Sequence, residues 1–173
     1  KQDAVELEYA GKTMDRTLHL YSPQARERSA IILAAVETAI SAGIDTAPVI
    51  VQIGASARNF SQRLADLAGQ AGGRLVIVEP AEDLRRGVEM LFEASGCVLV
   101  TASAEALVGA DLIVSSCDRL HAMLMSDEAL AGALAAGLDN GARLLAIETL
   151  PSPITDFLFG LAPDWFSNSL SDD

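Results

Sequence analysis

The chain has 173 residues, 50% of them hydrophobic, and a formal net charge of −12 at neutral pH. Its length suits one domain with a single substantial core, and a mean hydropathy of +0.30 excludes disorder over most of its course. A pI near 4.4 leaves no basic stripe for nucleic acid, and no apolar run reaches the roughly 20 residues that a membrane helix needs.

Residues 1–20 are polar and weakly patterned and read as a linker or an edge segment. A helix opens at Tyr21-Ser22-Pro23, where Ser22 suits the cap and Pro23 the first helical position, and runs through Ile40 until Gly43 ends it. Val49 to Ile53 is the first strand. A helix from about Phe60 to Ala71 puts Phe60, Leu64, Leu67 and Ala68 on one face, and Gly72-Gly73 breaks it. The second strand, Leu75 to Val78, ends in Glu79-Pro80. A helix from about Glu82 to Ala94 follows, closed by Gly96. Cys97 to Val100 is a short third strand, followed by a polar turn. Leu112 to Ser115 is the fourth strand, Asp127 to Leu138 a helix, and Asn140-Gly141 turns into the fifth strand, Arg143 to Ile147. Each strand is an unbroken apolar run without period-two alternation, as parallel strands covered on both faces are. The reading is α/β: a doubly wound, mostly parallel sheet with helices on both faces.

In such a sheet a ligand sits beyond the strand carboxyl ends, near the reversal of strand order. That edge collects Gln52 to Asn59, Glu79, Ser115 to His121, and Glu148. Pro48 to Phe60, PVIVQIGASARNF, passes from an apolar strand through Gly54 into a helix start, the outline of a nucleotide-type site. Glu79 stands where a carboxylate accepts both hydroxyls of a ribose; the plainer reading is a solvated acid at a strand end. His121 follows the fourth strand and Glu148 the fifth, and neighbouring strands lie roughly 5 Å apart. The carboxylate can orient the imidazole as a general base, or the two can be unrelated surface residues. Arg58 either holds an anion at the helix start or is simply exposed, and Asn59 and Ser61 are candidate caps. Cys97 and Cys117 have no close spacing and read as free thiols of a reducing cytoplasm, with no metal site.

From Leu20 to Phe166 these features resemble the carbon-methyltransferase domains of polyketide synthases and related fatty acid synthases. The resemblance is carried by Ile53-Gly54-Ala55 with Phe60, by Ser116 with Leu120-His121-Ala122, and above all by LLAIETLPSPITDFLFGLAPDWF, Leu144 to Phe166. It implies a Rossmann-like domain of the class I S-adenosylmethionine methyltransferase type over residues 21–173, lacking its C-terminal hairpin. It also implies a cytoplasmic, homodimeric multidomain parent with flanking megasynthase domains and an acyl carrier protein whose phosphopantetheine is carried on another domain. His121 and Glu148 match the family's base and its partner, which deprotonate the α-carbon of a carrier-bound β-ketoacyl thioester. The cofactor positions map onto Gln52, Gly54, Ser56, Arg58, Glu79 and Ser116.

The family's first loop reads acid-x-Gly-x-Gly-x-Gly, and here it departs. Gln52 replaces the acid and removes a charge that favours a cationic sulfonium, Ser56 replaces the second glycine, and Arg58 replaces the third with a long cation. Three readings follow. The first is a catalytically degenerate pseudo-methyltransferase domain kept as scaffold. The second is an active S-adenosylmethionine-dependent C-methyltransferase. The third is another dinucleotide-binding or docking domain of the same fold.

Overall fold

The structure, a computed structural model, describes residues 23–43, 47–115 and 120–147. Helix α1 (Pro23–Ser41) leads to strand β1 (Val49–Ile53), helix α2 (Arg58–Gln70), β2 (Arg74–Val78), α3 (Glu82–Phe92) and β3 (Val98–Thr101). A 3-10 helix (Ala104–Gly109), β4 (Leu112–Ser115), α4 (Leu120–Ser126), α5 (Glu128–Asp139) and β5 (Arg143–Ala146) complete the order. The strands form one five-stranded sheet in the order β3-β2-β1-β4-β5, and every pairing is parallel. The expected α/β architecture is therefore present. The order reverses between β1 and β4, so their carboxyl ends flank the crevice of the fold.

Period-two geometry explains why the strands read as solid apolar runs. Ile50, Leu75, Ile77, Leu112 and Val114 point to one face, where they pack with Ile32 and Val36 of α1, Phe60 and Leu64 of α2, and Val88 and Phe92 of α3. Val51, Ile53, Val76, Val78 and Ile113 point to the other, against Leu107 of the 3-10 helix, Leu120 of α4, and Leu130 and Leu134 of α5. Both faces are thus covered, and most of the strand residues are buried.

Three local expectations change. The stretch read as a polar turn after the third strand is the 3-10 helix, because Leu107 is driven fully into the second core. Helix α4, around Leu120, was not expected; it is only seven residues long, too short for a periodic signal. Helix α2 starts at Arg58, its cap position is Ala57, and no side chain caps it. Asn59 and Ser61 are therefore not caps: both lie inside the helix, and the Ser61 hydroxyl donates elsewhere. Residues 1–22 and 148–173, and with them the linker and hairpin expectations, lie outside the described residues.

Two glycines of α5 give a matched test of packing. A side chain at Gly137 would collide with the Leu107 carbonyl and come within 3.3 Å of Ile113 Cδ1, whereas one at Gly132 would meet nothing within 4 Å among the described residues. Gly132→Ala is expected to raise stability by about 0.5–1 kcal/mol, the ordinary helix-propensity gain. Gly137→Ala is expected to lower it by about 1–3 kcal/mol despite the same gain, because α5 and the 3-10 helix must part. Urea unfolding of both variants checks the opposite signs.

Candidate functional site

At the carboxyl end of β1 the chain turns at Gly54, whose φ of +77° is one that L residues rarely adopt. Gly54 N–H still donates to Val78 O at 2.8 Å, extending the β1–β2 ladder by one residue. The loop Ala55-Ser56-Ala57 then delivers the chain to α2. It is held from below by two buried side chains, Gln52 and Glu79.

Gln52 is fully buried on the α1–α2 face of the sheet. Its amide is used at both ends: Nε2 donates to Gly54 O at 2.7 Å, and Oε1 accepts from Ser61 Oγ at 2.9 Å. A carboxylate at this position could keep the serine bond, but its other oxygen would face the Gly54 carbonyl, acceptor against acceptor. The glutamine therefore does more than remove a charge. It is a brace between the turn and the helix that follows, which no residue-type signal in the sequence discloses.

Glu79, at the end of β2, is only 4% exposed. Its Oε2 accepts from Ala55 N–H at 2.7 Å and its Oε1 from Ala81 N–H at 2.9 Å. The carboxylate thus clamps the loop after β1 to the loop after β2, with both oxygens engaged by the protein's own backbone. The plain expectation of a solvated acid is corrected: backbone donors from two loops take the place of water. Arg85 of α3 reaches back to the Glu79 and Pro80 carbonyls at 3.3 Å each, closing the same corner.

The start of α2 carries positive character. Its first turn holds no acid, its cap makes no side-chain bond, and Arg58 is its first residue. Backbone N–H groups and the helix dipole already place partial positive charge there, and the guanidinium adds to it. A cationic ligand is disfavoured at this end. Arg58 itself is exposed, and Ser56 is half-buried in the loop. Met123 of α4 brings its side chain to Gly54: a methyl group built on Gly54 would lie 4.0 Å from Met123 Cε.

The catalytic expectation falls largely outside the described residues. Ser116 and Glu148 are outside them, as is the His121 side chain, although His121 lies in α4. The sheet register pairs Ser115 with Ala146, so the segments leading to His121 and Glu148 leave from adjacent strand ends. Ser115 is fully buried at this edge. Among the described residues no cluster of His, Cys, Asp or Glu could hold a metal ion, and no helix is long and apolar enough to cross a membrane.

No known protein-family profile matches the chain, and no curated protein does. Among solved structures it superposes on the crystal structure of the CurJ carbon methyltransferase with a TM-score of 0.64 at 15% sequence identity, over 91% of this chain. The alignment covers 44% of that chain, so the present sequence spans less than half of its neighbour's length. At this identity the likeness is one of fold. What the chain shares with it is the fold, a Rossmann-type α/β domain built on a parallel sheet.

The buried amide of Gln52 stands where the resemblance expects an acid, the oxygens of Glu79 are bonded to the protein's own backbone, and the first turn of α2 holds no acid.

Proposed function

We propose that this chain is a carbon-methyltransferase-like domain of a polyketide or fatty acid synthase whose cofactor crevice has turned inward, leaving it a catalytically degenerate scaffold. The observation that carries this reading is the self-satisfied loop after β1, in which Gln52, Ser61 and Glu79 bond to the protein itself. A cofactor meets groups already bonded to the protein, and gains no acidic partner at position 52 for its positive charge. On this reading the domain's partners are the flanking megasynthase domains of a homodimeric parent, with the acyl chain on phosphopantetheine carried by another domain. Calorimetric titration with S-adenosylmethionine is expected to give a Kd weaker than about 1 mM. Micromolar binding would refute the reading.

One observation favours a second reading, an active S-adenosylmethionine-dependent C-methyltransferase. The Ser115–Ala146 pairing starts the segments of His121 and Glu148 side by side. In that reading His121 is the base for the α-carbon of a carrier-bound β-ketoacyl thioester and Glu148 orients it. Incubation of a β-ketoacyl pantetheine with the domain and the cofactor separates the two readings: the scaffold leaves the substrate mass unchanged, and an active enzyme adds one methyl in place of hydrogen.

A further inference from the structure

The geometry points to Met123 as a gate over the switch point, a thioether that keeps Gly54 covered and that any nucleoside-like ligand must displace. The inference rests on the reading of this crevice as a former cofactor site and adds the residue that shuts it. A methyl group on Gly54 would lie 4.0 Å from Met123 Cε, so Gly54 Cα and that Cε are at most about 5.5 Å apart. A ligand heavy atom in van der Waals contact with both walls needs roughly 7–8 Å between them. Nothing passes between Gly54 and Met123 as they stand.

The gate is anchored at its backbone and free at its tip. Met123 O accepts from Asp127 N–H at 3.0 Å and from Ser126 Oγ at 3.1 Å. Asp127 in turn caps α5 through Leu130 N–H at 3.0 Å, so the root of the side chain is tied to a long helix. The side chain itself is half-buried on the margin of the second core. Unbranched and flexible, it can swing aside without unfolding its surroundings. Gly54, held at positive φ, has no Cβ and leaves the turn bare of side chain at this point. Met123, from α4, supplies the cover that Gly54 cannot supply for itself.

The test is the exposure of the Gly54 α-protons to a soluble paramagnetic probe, measured by NMR on the unaltered chain and on Met123→Ala, Met123→Val and Met123→Leu. Met123→Ala and Met123→Val are expected to raise the Gly54 relaxation enhancement about threefold, while Met123→Leu, which keeps the bulk, leaves it unchanged. S-methyl-5′-thioadenosine, an uncharged adenosyl thioether, is expected to bind Met123→Ala about tenfold more tightly than the unaltered chain. Equal exposure of Gly54 in the unaltered chain and both shortened variants, or equal affinity of the thioether for both, overturns the gate. Tight binding of S-adenosylmethionine by the unaltered chain overturns instead the scaffold reading proposed above.

Discussion

Replacing Glu79 with alanine is expected to lower the stability of the domain by about 3–4 kcal/mol, a large share of what a domain of this size holds in reserve. The carboxylate is almost wholly buried and bonded to Ala55 N–H and Ala81 N–H. Removing it discards two charge-assisted bonds and leaves two backbone donors, from different loops, without their acceptor. Glu79→Gln retains one acceptor oxygen but turns an amide N–H₂ toward the other donor, and is expected to fall about halfway between. In thermal unfolding the alanine variant should melt about 10 °C below the parent. A loss under 0.5 kcal/mol would mean that the carboxylate does not clamp the loops in solution and is free to meet a ligand.

The second large effect concerns Gln52, and it separates the mere loss of an acid from a structural brace. If the loop had merely lost an acid, Gln52→Glu would restore the charge and improve cofactor binding. The structure leads to the opposite expectation. The Gly54 carbonyl accepts from Gln52 Nε2 at 2.7 Å, and a carboxylate oxygen in that place is repelled by it in a fully buried site. Gln52→Glu is therefore expected to cost about 2–4 kcal/mol in urea unfolding and to leave S-adenosylmethionine binding no tighter. Gln52→Leu, which leaves Gly54 O and the Ser61 hydroxyl unpartnered but adds no repulsion, should cost about 2 kcal/mol. A glutamate variant that is as stable as the parent and binds the cofactor would show that the brace is incidental.

The sheet was legible in the sequence because every strand is an apolar run between turn residues. Val49–Ile53, Leu75–Val78 and Leu112–Ser115 are all recovered in the structure, with an extra Arg74 at the start of the second. Glycine pairs and Asn140-Gly141 marked the breaks between them. Short elements were not legible, since Ala104–Gly109 and Leu120–Ser126 owe their form to the burial of Leu107 and Leu120 rather than to local propensity. The apolar face of α2 begins at Phe60, two residues after the observed start at Arg58, and Ala57 in the cap position carries no side-chain signal. At the site, positions were readable and roles were not. Gln52, Gly54 and Glu79 fall on the expected edge, yet a carboxylate that bonds a backbone amide 24 residues away leaves no trace in residue spacing. Met123, an apolar residue in an unexpected helix, gave no signal either.

The clamp between the two loops can be seen directly. A through-hydrogen-bond scalar coupling between the Ala55 amide nitrogen and the Glu79 side-chain carboxyl carbon reports whether that bond exists in solution. If the crevice has turned inward, the coupling is present in the ligand-free domain and persists unchanged in excess S-adenosylmethionine. Its absence, or its loss as the cofactor is added, would contradict the inward-turned crevice and return Glu79 to the service of a ligand.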